Sequence, residues 1–166
     1  MAQVLISTVT VGAGGAASID FTSIPQTYTD LLIVLSGRCN DGASVQDGVR
    51  MSINGVTTNR SFKQLVGVGT AATVNGGTDD YLGNVTGGTA TANSHASMNL
   101  YFPNYASTTL NKPFSQEIVP ETNSSAINMF VTAGLWSSTA AITSLSFYIT
   151  GFSWVQYSTA SIYGIK

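Results

Sequence analysis

The side chains able to do chemistry are few, and their spacing decides how far each can be taken. His95 is the only histidine. It lies in "TANSHASMN" with Ser94 and Ser97 nearby, but a serine nucleophile needs a base that is itself oriented by a third group. Neighbours on a strand face opposite ways, so the expectation is a solvated loop or strand-edge histidine. Asp79 and Asp80 are the only adjacent carboxylates, and Glu117 and Glu121 are the only glutamates. Glycoside cleavage needs two carboxylates roughly 5 to 10 Å apart across the scissile bond, and no surrounding signal supports such a cleft. In "NDGASVQDGVR" Asp41 and Asp47 stand with Asn40 and Gln46, oxygen donors of the kind a hard cation takes. Their spacing departs from the calcium-loop pattern, and loop capping by Asp and Asn is the expectation. No catalytic, cofactor-binding or metal-binding residue is assigned, and a non-enzyme without cofactor is expected.

Cys39 is the only cysteine, which excludes an intrachain disulfide and a Cys-rich zinc site. The aromatics Trp136, Tyr148, Phe152, Trp154, Tyr157 and Tyr163 follow period-two placement. That makes core packing the main expectation, with a minority facing a partner.

The elements that must position these groups read as strands. "ASIDF" alternates around Ile19 and Phe21, and "DLLIVLSGR" is an apolar run of strand length, suited to a central strand. In "GVRMSINGVTTNRSF", Val49, Met51 and Ile53 point one way, and Asn54-Gly55 supplies a tight turn; a β-hairpin is expected there. The segment Thr70 to Asn93 shifts to Gly, Thr, Ala and Asn and reads as a long loop. The count is nine to ten strands in one domain, residues 1–166, with an N-terminal arm or strand over 1–12 and the Gly/Thr-rich loop over 70–93. An all-β fold follows, an antiparallel β-sandwich with a jelly roll as the preferred form.

Composition excludes more than it assigns. Only 8% of residues are charged while 43% are hydrophobic, against roughly 25% charged in ordinary soluble domains. Six scattered basic residues cannot neutralise phosphates, so no nucleic-acid partner is expected. From Ala126 to Ile165 there is no Asp, Glu, Lys, Arg or His, yet Ser, Thr and Gly break every apolar run short of the roughly 20 residues a membrane helix needs. No membrane partner is expected. The N-terminal "MAQVLISTVTVGAGG" lacks signal-peptide features, so synthesis in a cytoplasm is the expectation. Such a surface repels its neighbours weakly and suits packing against other subunits.

Five stretches, "VTVGAGGAASIDFTSIPQTYTDLLIVLSGR", "INGVTTNRSFKQLVGVG", "NLYFPNYAS", "AGLWSSTAAITSLSF" and "WVQYSTASIYGIK", resemble a group of small virion structural proteins of tailed bacteriophages. The resemblance runs from Val9 to Lys166 and is weakest over the 70–93 loop. It implies a β-sandwich displayed on the virion, as a head decoration (cement) protein or as part of a fibre or tail appendage, and carries over no site residue. The leading expectation is a homo-oligomer, preferentially a trimer, that bridges major capsid protein subunits on the outer surface of the capsid. Ala2 to Val11 and Thr70 to Asn93 are the expected contact elements. The alternative is a fibre or tail-tip protein that binds host surface glycans; a polysaccharide-cleaving enzyme stands third.

Overall fold

A computed structural model describes residues 2–120 and 128–166. Among these the chain forms twelve strands and no helix: β1 (Gln3–Thr10), β2 (Ser18–Phe21), β3 (Asp30–Gly37), β4 (Gln46–Ile53), β5 (Arg60–Val68), β6 (Ala71–Gly77), β7 (Tyr81–Thr86), β8 (Ala96–Phe102), β9 (Lys112–Val119), β10 (Asn128–Trp136), β11 (Leu145–Ile149) and β12 (Thr159–Ile165). They build two antiparallel sheets, one of eight strands in the order β1-β12-β3-β8-β9-β10-β5-β6 and one of four in the order β2-β11-β4-β7.

The chain alternates between the sheets from β2 to β5 and again from β6 to β8, which is the winding of a jelly roll. Two additions modify it. β12 and β1 extend the large sheet beyond β3, and the β9–β10 hairpin is inserted between β8 and β5. The insertion pushes β5 and β6 outward by two strand widths, roughly 10 Å. β7, the facing edge of the small sheet, packs across the gap on β8, β9 and β10. β5 still sends Phe62 to Tyr81 and Gln64 to the Leu82 carbonyl, whereas β6 has no covering layer and is exposed along nearly all its length.

Alternation explains the core. Leu31, Ile33 and Leu35 of β3, Met98, Leu100 and Phe102 of β8, and Met51, Ile53 and Phe147 from the facing sheet are all at or near zero exposure. Trp154 and Tyr105 fill the two ends, with Trp154 Nε1 donating to the Phe147 carbonyl at 2.9 Å. Cα–Cβ space is short in places. Gly37 lies against the Trp154 ring and Gly164 against Tyr28, where any Cβ would collide.

Two expectations need correction. The strand count was short because Thr70 to Asn93 contains both β6 and β7: Gly and Thr there build an edge strand that needs no core-facing alternation. The Asn54-Gly55 turn forms, with φ of 52° and 75° and Ile53 and Val56 exchanging backbone hydrogen bonds, but its two strands do not pair. Both sides of β4 are already taken, by β11 and β7, so after Val56 the chain crosses to the large sheet. Asn54 ties the turn to the Ala141 carbonyl and the Thr143 and Ser144 amides. The N-terminal segment, expected as an arm or strand, is a strand: β1 pairs with β12 along its length, with one bulge between Leu5 and Ser7.

Candidate interaction surface

The residues that alternate with the core in the eight-stranded sheet form a broad outer face. Strand register places Val34, Asn99, Glu117, Val131, Leu65 and Val74 side by side in one row across β3, β8, β9, β10, β5 and β6. A parallel row runs Leu5, Tyr163, Leu32, Tyr101, Ser115, Ala133 and Lys63. Leu65 is 51% exposed, Val131 42% and Val74 77%. These three neighbouring branched side chains turned to solvent make one contiguous apolar patch at this end of the sheet. A trough of ≈ 340 Å³ follows Leu32, Asn99, Tyr101, Ser115, Glu117 and Val131. A second, of ≈ 400 Å³, follows Lys63, Leu65, Val74, Ser115, Val131 and Ala133. They meet at Ser115 and Val131.

Charge on this face is sparse and partly spoken for. Tyr101 donates to Asp30 Oδ2 at 2.6 Å while Asp30 Oδ1 accepts from the Asn104 amide. That hydrogen bond, with burial, pushes the Tyr101 phenol up to about 12. Glu117 and Lys63 are the remaining charges in the two rows. Covering this face would therefore desolvate few ions.

The residues singled out for catalysis do not converge. His95 Nε2 is buried without a hydrogen-bond partner, Ser94 Oγ donates to the Thr91 carbonyl, and Ser97 lies exposed on β8. Asp80 accepts from Arg50 Nη1 at 2.6 Å and from the Tyr148 hydroxyl. Burial pushes its carboxyl up, but the hydrogen bonds from Tyr148 and Arg50 outweigh that and hold it below the ordinary carboxylate value. This pin sits on the outer side of the small sheet. Glu117 sits on the outer side of the large one, so two packed sheets, about 10 Å apart, lie between the two carboxylates. Glu121 falls outside the described residues. Among those residues no three His, Cys, Asp or Glu side chains come together as metal ligands. Asp41 caps its own loop, accepting from the Ala43 amide at 2.9 Å, and its carboxyl is lowered chiefly by a hydrogen bond with Ser44. Asp47 Oδ1 accepts from the Gly48 amide. Cys39 is fully buried and burial raises its thiol.

Among the aromatics, Trp136 and Trp154 are core residues, while Phe152 and Tyr157 remain 38% and 69% exposed. Tyr81, the aromatic of the 70–93 segment, packs inward between Phe62 and Phe130. Sequence reasoning passed over Arg38. Its guanidinium donates to the carbonyls of Gly88, Ala90, Thr91 and Ser94, at 2.9, 2.9, 2.7 and 3.2 Å, and so organises the end of the Gly/Thr-rich segment. It also missed the outer face, although the excess of apolar residues over strict alternation in "DLLIVLSGR" was its signal: Leu32 and Val34 are the outward pair.

Comparison with protein-family models, with curated proteins and with solved structures finds no match to this chain. The fold and surface define its class, an all-β jelly-roll-like sandwich with an apolar outer face and an uncovered edge strand.

Proposed function

We propose that the chain is a non-enzymatic structural protein that works by docking into a larger assembly through the outer face of its eight-stranded sheet. The observation that carries this reading is the row Val131, Leu65 and Val74, exposed side by side and almost free of charge. The finer reading makes that assembly the head of a tailed bacteriophage, with the chain as a homotrimeric decoration protein bridging capsid subunits. It rests on the resemblance of the five sequence stretches to virion proteins. Binding only the assembled shell would stabilise it by linkage, and repetition over the lattice would add avidity. The test is thermal release of DNA from particles with and without the chain. Release at a lower temperature from particles lacking it is expected; equal release temperatures would overturn the decoration role.

A second reading, receptor binding at a fibre or tail tip, has one observation in its favour. The ≈ 340 Å³ trough sets the Tyr101 ring beside Asn99 and Glu117, a pairing of aromatic face and polar groups suited to a sugar. Glycan-array binding that disappears in Tyr101→Ala would promote it over decoration.

A further inference from the structure

The inserted β9–β10 hairpin leaves β6 as a sheet edge exposed on both faces. Natural edge strands are usually guarded against pairing by charge, proline, a bulge or brevity. β6 carries none of these guards in its own residues: its sequence AATVNGG contains no charged residue and no proline, and it pairs with β5 over all seven residues without a register shift, the one charge over it being Lys63 of β5 at Gly76.

We propose that β6 pairs with β6 of a second copy of this chain, antiparallel, about a two-fold axis at Val74. This goes beyond the docking reading above and concerns the chain free in solution, where it is a pair and not the trimer that the decoration reading places on the shell. Val74 is the middle residue of the seven in β6. An axis there sets Val74 opposite its counterpart, Thr73 opposite Asn75, Ala72 opposite Gly76 and Ala71 opposite Gly77, so the whole strand is in register. The apolar row Val131, Leu65, Val74 then runs straight on into Val74, Leu65 and Val131 of the second copy, covering the most exposed large apolar side chain among the described residues. On the opposite face Thr73 comes opposite Asn75, two uncharged polar side chains that bond within their own sheet, to the Val66 carbonyl and to Gln64 Oε1.

Charge permits this symmetry. The nearest ion on the outer face is Lys63, whose stem and ammonium lie over Gly76. Two-fold pairing holds the two Gly76 positions four residues apart along the strand direction, about 14 Å, which exceeds the screening length of about 8 Å at physiological salt. No like charges meet. A continuous sixteen-stranded sheet results, closed by its own symmetry and therefore limited to pairs.

Cysteine cross-linking tests the register. Directly opposite residues of an antiparallel pair have Cα atoms about 4.5 to 5.5 Å apart, inside the disulfide range of about 4.4 to 6.8 Å. Val74→Cys under mild oxidant is expected to give a covalent dimer on a non-reducing gel. Ala72→Cys, on the same exposed face but about 14 Å from its symmetry mate, is expected to give none, and native Cys39 is buried. Cross-linking of Ala72→Cys as complete as that of Val74→Cys, or none in either, overturns the proposal. Val74→Lys supplies the second measurement: its sedimenting mass should be half that of the unaltered chain with unchanged circular dichroism, and an unchanged mass likewise overturns it.

Discussion

Arg50 and Asp80 form the one ion pair found among the described residues, Nη1 to Oδ1 at 2.6 Å, and it ties the start of β7 to the middle of β4. The Tyr148 hydroxyl donates to the other carboxylate oxygen from β11, so a single side chain joins three of the four strands of the small sheet. Arg50 is about a third exposed, which limits the value of its charge through solvent screening. Asp80 is held below the ordinary carboxylate value despite burial. A depressed acid contributes stability that is present above its unfolded value, near 3.9, and lost as pH falls through the lower folded one. The expected thermal-melting profile is flat above about pH 5 and falls on the acid side. Asp80→Asn should cost about 1–2 kcal/mol at neutral pH and flatten that acid limb. An acid limb of undiminished slope in the variant would show that Asp80 does not govern it.

Alkali should reveal the opposite behaviour in the phenols. Tyr81, Tyr101 and Tyr148 are each pushed up to about 12, Tyr81 by burial, Tyr101 by its hydrogen bond to Asp30, and Tyr148 by burial together with Asp80. A raised tyrosine favours the folded state below its unfolded value, near 10, and that contribution disappears as pH rises through the folded one. Phenolate absorbance should therefore show these three, together with Tyr105, whose phenol burial also raises, ionising late. Denaturant should abolish the delay. A single ionisation step near 10 for the whole native protein would contradict it.

Arg38 should control the 88–94 loop without controlling the fold. Four carbonyls converge on its two terminal nitrogens, a geometry that a planar guanidinium can satisfy and a lysine ammonium cannot. Arg38→Ala and Arg38→Lys are both expected to admit protease cleavage between residues 88 and 94 while the far-ultraviolet circular dichroism stays that of a β-sandwich. Full resistance in Arg38→Lys would mean that charge alone holds the loop.

How much of this was legible in the sequence depended on whether local chemistry or distant topology decided the outcome. The sandwich was legible because Ile19 and Phe21, or Val49, Met51 and Ile53, alternate as one-sided strands must, and because Leu31 to Leu35 form an apolar run of strand length. Asn54-Gly55 was legible as a turn, since only residues tolerant of positive φ fit there. Its strand partners were not, because occupancy of β4 by β7 and β11 is set by segments far along the chain. β6 was hidden for a related reason: an edge strand exposed on both faces has no buried side to impose a period on AATVNGG. The placement of Asp80 with Arg50 and Tyr148 was not legible, since their meeting is a product of sheet order.

Glycine placement on β10 yields the sharpest packing prediction. Gly134 lies between Phe62 on β5 and Phe114 on β9 in register, and the Phe114 ring lies across it, so that a Cβ would come within 2.0 Å of Phe114 Cζ. The ring cannot simply swing away from β10, because Phe102 of β8, the neighbour of β9 on the other side, stands 5.5 Å from it between ring centroids. Gly134→Ala should therefore destabilise by about 1–3 kcal/mol, the usual cost of overfilling a packed interior. Gly67, on the adjacent strand, is the control. Its nearest neighbour to an added Cβ is Met129 at 3.9 Å, an ordinary contact, and Gly67→Ala should be neutral or gain about 0.5 kcal/mol by restricting the unfolded chain. If the ring is the cause, Phe114→Leu combined with Gly134→Ala should lose less than the sum of the two single changes. Urea unfolding of the four variants decides the matter: equal stabilities for Gly134→Ala and Gly67→Ala would mean that the sheet yields at Gly134, and strictly additive losses would acquit Phe114.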